Sequence, residues 1–363
     1  MAPTVVRMTP FRIDIPDADL DDLRERLART RWPAQLPGEG WSRGVPVAHL
    51  RELAAHWRDG FDWRAQEAQL NAFPQFTTKI DGLDVHFLHV RSPRPDALPL
   101  LLTHGWPASF VEFVRLIPLL TGTFHVVVPS VPGFGFSAPP RAAGFSVDAV
   151  ARMWATLMAR LGYDRYGTQG GDLGAYVAPQ VAIVDAEHVV GVHIDGGLGF
   201  PTEDDVAAMS EAERDEYQQV MSWAGHGVDH HALLRAAPQT FAYGWQDSPA
   251  AALAWLAQKF RDFGDEVERD LFLTNASVYW FTGTFGTSSW PMYDTARSTW
   301  PTGQKAVPSG VYAGGPALFR RLAERDNTIV HWPEGNPGGH FVAMEEPAAH
   351  AADIAAFFDK VAR

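Results

Sequence analysis

The feature that most constrains the fold is a regular alternation between short apolar runs and longer stretches with helical periodicity. Strands separated by helices of roughly ten to fifteen residues form βαβ units, and such units build a parallel sheet. The alternation stops for about a hundred residues and resumes near the C-terminus. The sequence therefore predicts an α/β fold with a mostly parallel central sheet. The predicted strands are residues 77–80, 85–90, 98–103, 124–128, 165–168, 189–194, 307–312 and 328–332.

Two segments depart from this alternation. The N-terminal segment is amphipathic, and its first helix begins with Asp17 and Asp19 and ends with Arg29 and Arg31, charges that match the helix dipole. The second segment is helical and Trp-rich and lies between the sixth and seventh predicted strands. We therefore predict an N-terminal helical meander, a two-part core and an inserted helical lid. Their predicted bounds are 1–75 for the meander, 76–198 and 305–363 for the core, and 199–304 for the lid.

Composition excludes several classes of function. The formal net charge of −13 argues against binding nucleic acid, which requires a basic surface. The absence of cysteine excludes a disulfide framework and a thiolate metal site. No run of 18 apolar residues and no apolar signal core are present, so we expect a cytoplasmic protein without a membrane partner. The 22 Phe and 13 Trp favour an aromatic-lined cavity. The oligomeric state stays open, and a homodimer is compatible with the sequence.

A candidate nucleophile lies in the motif GGDLG, residues 170–174, between a predicted strand and a predicted helix. A glycine-flanked turn at this place presents the central residue, Asp172, as a nucleophile. A turn whose aspartate only caps the helix is the alternative interpretation. His340 follows late in the chain, which is the order that the α/β-hydrolase fold uses. The loop HGWP after an earlier strand predicts an oxyanion hole, with the backbone N–H groups of Trp106 and Leu173 as donors.

An aspartate nucleophile determines the class of reaction. The carboxylate is already anionic and needs no base in order to attack. Attack on an sp³ carbon that bears a leaving group gives an ordinary ester, which water activated by His340 can then cleave. We therefore expect an epoxide or an alkyl halide as substrate, and no cofactor. A dehalogenase commonly has a halide-binding Trp directly after the nucleophile, where this chain has Leu173. A degenerate protein that binds an apolar ligand without turnover is a third hypothesis.

The chain resembles the microsomal and juvenile-hormone branch of the epoxide hydrolases, including its soluble bacterial members. The resemblance implies an α/β-hydrolase fold with an N-terminal meander, Asp172 as nucleophile, His340 as base, and an epoxide and water as substrates. It also implies that the membrane anchor of the microsomal members is missing here. The stretches that carry it are PFRIDIPDADLDDLRERLARTRWP, HGWPAS, GTQGGDLGAYVAP, PQTFAYGWQDSPAAALAWLAQKF, LTNASVYWFTGT and RRLAERDNTIVHWPEGNPGGHFVAMEEP.

The resemblance also implies two lid tyrosines that hold the ring oxygen of the epoxide. One matches Tyr293, in the segment SSWPMY. The other position, eight residues before Pro238, holds His230, with His231 beside it. A buried structural tyrosine and a surface lid histidine are the alternative interpretations. A metal site lacks a second patterned set of ligands, and we expect none; its members would be His226, Asp229, His230 and His231.

The acid of the catalytic triad departs from the family pattern. In the family it follows the seventh strand, near Gly315 or Ala317, but no Asp or Glu occurs in residues 306–323. A histidine without a carboxylate partner loses its fixed tautomer, which in a serine protease costs roughly 10⁴ in rate. Asp195 ends the sixth predicted strand, a position that some haloalkane dehalogenases use for the acid, and we predict that it replaces the missing residue. Glu334 is the next candidate, and an Asp that only caps a turn is the alternative interpretation.

Overall fold

The computed structural model describes residues 8–196, 198, 201–221, 228–263, 267–294 and 303–362. A sheet with the strand order β1-β2-β3-β5-β4-β6-β7-β8-β9 forms the centre of the fold. Pairing is antiparallel from β1 through β2 and β3 to β5, and parallel from β5 to β9, which confirms the mostly parallel sheet of the prediction. The strands are β1 (Thr9–Phe11), β2 (Gln75–Ile80), β3 (Leu83–Val90), β4 (Leu98–Thr103), β5 (Phe124–Pro129), β6 (Tyr166–Gly171), β7 (Val189–Asp195), β8 (Pro308–Val311) and β9 (Thr328–His331).

The edge strand β1 is absent from the sequence prediction. It has only three residues, it contains Pro10, and its side chains are largely exposed, so neither alternation nor β-propensity marks it. The pairing of Thr9 with Thr77 nevertheless adds it to the sheet beside β2.

The N-terminal helices are α1 (Asp17–Ala28), α2 (Val47–Ala55) and α3 (Trp63–Leu70), and a single π-helical turn continues α2. Leu20, Leu23 and Leu27 are buried, and their spacing of three and four residues places them on one face of α1. The indole N–H of Trp57 donates a hydrogen bond of 2.9 Å to the hydroxyl of Ser277. The N-terminal helices thus pack against the helices inserted before β8.

Helices of the core cover both faces of the sheet. A Cβ at Gly167 would overlap with the ring of Phe358, one at Gly310 with the ring of Phe357, and one at Gly191 with the side chain of Val361. Glycines on three neighbouring strands therefore fix the position of the C-terminal helix. The core helices are α4 (Ile117–Leu120), α5 (Val147–Arg160), α6 (Leu173–Val184), α15 (Ala317–Asp326), α16 (Val342–Glu345) and α17 (Pro347–Val361).

The inserted helices lie between β7 and β8, which are the sixth and seventh strands of the sequence prediction because that prediction lacked β1. The bounds predicted for the meander, core and lid stay predictions, as does a homodimer. No helix in the described part of the chain is long and apolar enough to cross a membrane. The inserted helices are α7 (Glu203–Ala208), α8 (Glu211–Met221), α9 (His230–Ala236), α10 (Pro238–Asp247), α11 (Pro249–Asp262), α12 (Arg269–Thr282), α13 (Phe285–Ser288) and α14 (Trp290–Asp294).

Candidate active site

Asp172 occupies a strained turn between β6 and α6. Its φ of 50° and ψ of −118° lie in a region that residues with a Cβ rarely adopt. A Cβ at Gly174 would overlap with the carbonyl oxygen of Thr103, and one at Gly105 would overlap with the Asp172 side chain. The flanking glycines therefore allow β4, β6 and α6 to approach closely, and the turn presents the Asp172 carboxylate at the carboxyl end of the sheet.

The two predicted oxyanion-hole donors point to the same oxygen of Asp172. The backbone N–H of Trp106 donates to Asp172 Oδ1 at 2.8 Å, and that of Leu173 donates to Oδ1 at 2.6 Å. The Trp106 loop is held from the lid side by Asn275 of α12, whose amide donates to the carbonyl of Pro107 at 2.9 Å. Two backbone donors thus converge on one carboxylate oxygen, and a lid helix fixes the loop that carries the first of them.

His340 faces the other oxygen of the nucleophile. Its Nε2 lies 3.6 Å from Asp172 Oδ2, and both side chains are 25% exposed. Phe263 stacks on the imidazole with ring centroids 4.0 Å apart and planes 6° apart, which fixes the orientation of the ring. Burial lowers the pKa of His340 below its ordinary value, and the negative charges of Asp172 and Asp195 offset this only in part. The imidazole is therefore neutral at neutral pH and can accept a proton.

Asp195 ends β7 and pairs in register with Gly171, directly beside the nucleophile turn. Its Oδ2 accepts a hydrogen bond of 2.8 Å from Gln169 Nε2, and its Oδ1 lies 2.7 Å from Nε2 of His350. Among the described residues, the contacts of this carboxylate are with Gln169 of β6 and His350 of α17, and a hydrogen bond with His340 is not among them. The role of Asp195 as triad acid stays a prediction.

A cavity of about 460 Å³ joins these groups. Asp172, Asp195 and His340 line it, and so do Gly315 and Pro316, from the loop where the family carries its acid. The loop is tight, since the indole N–H of Trp332 donates to the carbonyl of Gly315 at 3.0 Å and a Cβ at Gly314 would overlap with that indole. Glu334, the second candidate acid, is exposed and does not line the cavity.

His230 lies beside the oxyanion-hole loop. Its ring stacks on Trp106, with centroids 5.2 Å apart, and contacts Phe263 edge-on at 5.9 Å. Burial lowers its pKa to about 3, with a smaller contribution from His231, whose ring centroid is 4.2 Å away. Asp229 caps α9 by accepting a hydrogen bond from the backbone N–H of Ala232, which places both histidines in the first turn of the helix. His230 is thus a neutral imidazole beside the oxyanion-hole loop.

Tyr293 is not brought together with Asp172. It lies on α14, is 41% exposed and lines a different cavity, of about 500 Å³, together with Pro238 and Trp290. Asp172 is not among the residues that line that cavity. The short helix α14, which carries the tyrosine, packs beside α9. Its role as a donor to the ring oxygen therefore stays a prediction from the family resemblance.

Several groups near the nucleophile were not singled out from the sequence. Tyr176 follows Asp172 by one helical turn, and burial together with the charge of Asp172 raises its pKa. Burial and the charge of Arg235 lower the pKa of His231, and the charge of Asp172 offsets part of this effect. The His231 ring is therefore close enough to the nucleophile to interact with its charge. The spacing of four residues on a helix could have indicated Tyr176.

His226 lies outside the described residues. The alternative of a metal site formed by His226, Asp229, His230 and His231 therefore stays open. Elsewhere in the described chain, two groups of three side chains place their ligand atoms within 4.8 Å of one another. The nitrogens that would bind an ion already pair with carboxylates, at 2.7 Å for His350 with Asp195 and 2.9 Å for His193 with Asp353. The two groups are His193, His331 and Asp353, and His193, Asp195 and His350.

Comparison with known proteins identifies relatives over nearly the whole chain. Residues 8–113 match the family model described as "Epoxide hydrolase N terminus", and residues 99–261 match the model "alpha/beta hydrolase fold". A protein of Stigmatella aurantiaca named "Putative epoxide hydrolase" is 40% identical, over 96% of this chain and 84% of its own length. "Epoxide hydrolase 1" of Oryctolagus cuniculus is 31% identical, over 98% of this chain and 89% of its own length.

Solved structures give the same result. The epoxide hydrolase of Aspergillus niger superposes with a TM-score of 0.85 at 30% identity, over 98% of this chain and 97% of its own. The juvenile hormone epoxide hydrolase of Bombyx mori superposes with a TM-score of 0.85 at 25% identity, over 98% and 95%. The α/β-hydrolase fold predicted from the nucleophile motif and the order of the catalytic residues is thereby confirmed.

Proposed function

Because this chain belongs to the epoxide hydrolase family, we propose that it converts an epoxide to a vicinal diol through an ester formed on Asp172. The observation that carries the proposal is that the two oxygens of Asp172 have different surroundings. Oδ1 accepts hydrogen bonds from the backbone N–H groups of Trp106 and Leu173, whereas Oδ2 faces His340. Oδ1 is therefore arranged to become the carbonyl oxygen of an ester, and Oδ2 is available as the nucleophile.

In the first step, Oδ2 attacks an epoxide carbon and forms a new C–O bond. The bond from that carbon to the ring oxygen breaks, and its electron pair stays on the ring oxygen as a developing alkoxide. A donor must stabilise this charge, and the N–H of His230 is the candidate that the site geometry favours, because the ring stacks on Trp106. With a pKa of about 3, His230 donates as a neutral imidazole, as a tyrosine hydroxyl would. The family resemblance adds Tyr293 as a second donor.

In the second step, His340 accepts a proton from water, and the resulting hydroxide attacks Cγ of the Asp172 ester. Negative charge develops on Oδ1, where the two backbone N–H groups already point. The tetrahedral intermediate then releases the diol oxygen, which takes the proton from the His340 imidazolium. The alkoxide of the first step takes one proton from solvent, and the proton that the hydroxide brought to Asp172 returns to solvent, so that the diol is complete and the carboxylate is restored. A distance of 3.6 Å between His340 Nε2 and Asp172 Oδ2 leaves the imidazole near the ester without a short hydrogen bond to the nucleophile.

Asp195 completes the proposal as the acid that supports His340. It lines the same cavity, and its charge raises the pKa of His340 against the effect of burial. The same charge would stabilise the imidazolium that forms when water is deprotonated. Without a direct hydrogen bond, Asp195 acts on His340 through its charge rather than by fixing its tautomer.

The experiment that tests this mechanism separates the two steps. His340→Gln should still be alkylated, because an anionic carboxylate needs no base, but it should not hydrolyse the ester. Incubation with styrene oxide should then shift the intact mass of the protein by the mass of one epoxide, and peptide mapping should locate the adduct on Asp172. Asp172→Asn is the matched control and should acquire no adduct.

An isotope measurement gives an independent test with the unaltered enzyme. A single turnover in ¹⁸O-water should leave the label in the Asp172 peptide, because water attacks Cγ, and the diol should stay unlabelled. A labelled diol from the first turnover would show direct attack of water on the epoxide and would refute the ester mechanism.

A further inference from the structure

A buried histidine behind the catalytic pair has no role in the mechanism described so far. His350 lies on α17, its side chain is fully buried, and its Nε2 is 2.7 Å from Oδ1 of Asp195, which is 7% exposed. The same Nε2 lies 3.4 Å from the amide nitrogen of Gln169, which donates to the other oxygen of Asp195 at 2.8 Å. Asp195 is therefore held by two side chains on the side that faces away from the catalytic cavity.

A carboxylate in such a place needs compensation for its charge. Removing an ion from water costs several kcal/mol unless a partner of opposite charge or a set of donors replaces the water. Gln169 supplies one neutral N–H, whereas an imidazole can supply both a donor and a positive charge. Among the described residues, His350 is the only titratable side chain whose nitrogen lies within 4.0 Å of an oxygen of Asp195.

The other histidines of the region serve a different carboxylate. His193 and His331 each lie 2.9 Å from an oxygen of Asp353, and Nζ of Lys360 lies 2.7 Å from Nδ1 of His331. Asp353 thus has its own partners, including a cation that reaches it through His331. His350 is thus the histidine in direct contact with Asp195, whereas His193 acts on that carboxylate from farther away.

Asp195 is pressed against the nucleophile turn. A Cβ at Gly171 would lie 3.0 Å from Asp195 Oδ2, so the carboxylate contacts the backbone that carries Asp172. Burial by itself raises the pKa of the Asp195 carboxyl, but the neighbouring His350, together with smaller contributions from His193 and Gln169, outweighs this effect and leaves the pKa below its ordinary value. The charge state of Asp195 therefore depends on the residue behind it.

We propose that His350 is a positioning residue for ester hydrolysis: it holds the Asp195 carboxylate ionised and in a fixed orientation, so that the carboxylate charge acts on His340. The inference rests on the proposed function, because it concerns only the second step. His350 touches neither substrate nor water, and its removal should leave the attack of Asp172 on the epoxide unchanged.

The test compares His350→Leu, which removes the donor, with His350→Gln, which retains an N–H. With styrene oxide in a rapid-quench experiment, His350→Leu should alkylate within about twofold of the unaltered rate. Its ester hydrolysis should fall by about 10-fold to 100-fold, the effect of one hydrogen bond to a charged group, so the adduct on Asp172 should accumulate. His350→Gln should recover part of the loss. The matched control, His331→Gln, removes a buried imidazole from Asp353 and should leave the ratio of the two rates unchanged.

A double variant separates positioning from a general loss of structure. In the Asp195→Asn background, His350→Leu should change hydrolysis by less than about twofold, because the group it holds is gone. This background also removes the buried charge, so it supplies the measurement if His350→Leu alone does not fold. Unchanged ester hydrolysis in His350→Leu, or an equal loss in both backgrounds, would overturn the inference and leave the Asp172 mechanism intact. A complete absence of adduct in the His340→Gln enzyme would instead refute the proposed function.

Discussion

Replacement of Asp195 by Asn measures how the distant carboxylate contributes to catalysis. The substitution keeps the size of the side chain and removes its charge from the cavity that His340 shares. Asp195 and His340 form no hydrogen bond in the structure, so the loss of about 10⁴ that follows when a histidine loses its fixed tautomer is not expected. What is lost is a charge interaction.

The expected magnitude follows from the distance. Two unit charges at ~4 Å interact by about 1 kcal/mol in bulk water and about 4 kcal/mol near a protein surface. Since Asp195 lies beyond hydrogen-bond distance of His340, these figures bound the effect from above. They correspond to a slowing of ester hydrolysis by about 5-fold to about 10³-fold. Alkylation should not change, because the imidazolium forms only in the second step.

Rapid quench with styrene oxide, followed by intact-mass analysis, gives both rates from one experiment. Asp195→Asn should therefore accumulate the ester, as His340→Gln should, but release it slowly instead of retaining it. Glu334→Gln is the matched control, because that carboxylate is exposed and lies outside the cavity. Unchanged hydrolysis in Asp195→Asn would exclude the residue as the acid, and a loss near 10⁴ would indicate a direct hydrogen bond to His340 during the reaction.

Three further predictions concern the same site. Gly315→Asp in the Asp195→Asn background should recover part of the hydrolysis rate, because Gly315 lines the cavity and the nearest atom to a Cβ there would be 3.6 Å away. The control Gly314→Asp should not recover it, because a Cβ at Gly314 would overlap with Trp332. Ester hydrolysis should fall as pH decreases through a value below 6.5, because burial lowers the pKa of His340 and only the neutral imidazole accepts a proton. A pH-jump of the preformed ester measures this dependence, and a loss of hydrolysis centred above pH 6.5 would contradict the expectation. His230→Ala should slow alkylation by about 10²-fold or more. In the unaltered enzyme, alkylation should not decline as pH rises through 6.5, because the pKa of His230 is about 3 and the ring is already neutral. Stopped-flow measurement of the alkylation rate against pH checks both expectations.

Asp172, His340 and the oxyanion-hole donors could be located from the sequence because each lies at a motif on the carboxyl end of a strand. In a parallel sheet those ends meet at one edge, so correct placement along the chain implies proximity in space. The pairing of Asp195 with Gly171 follows from the same rule. What the rule cannot supply is the direction in which a side chain points, and for this reason the hydrogen bond between Asp195 and His340 stays a prediction.

Residues on the lid and on the last helix lie beyond such reasoning. The position of Tyr293 depends on how α14 packs beside α9, and no periodicity in the sequence encodes that packing. His350 is separated from Gln169 by 181 positions, and it reaches the acid only because glycines on the sheet fix α17 against it. A single histidine on α17 gives no sign of this contact.

The proposed relocation of the triad acid from the loop after β8 to Asp195 has a physical consequence. An acid on the loop after β8 would lie where the loop residues Gly315 and Pro316 line the cavity, whereas Asp195 at the end of β7 is 7% exposed. Moving the carboxylate to a buried strand end removes the water that would solvate its charge, so the position requires a partner that the loop position does not. Gln169 donates to Oδ2 of this carboxylate, and Nε2 of His350 lies 2.7 Å from its Oδ1, so these two residues are the candidates for that partner. A relocated acid in this fold should therefore be accompanied by a buried donor on the last helix, and it should support the base through charge more than through a hydrogen bond.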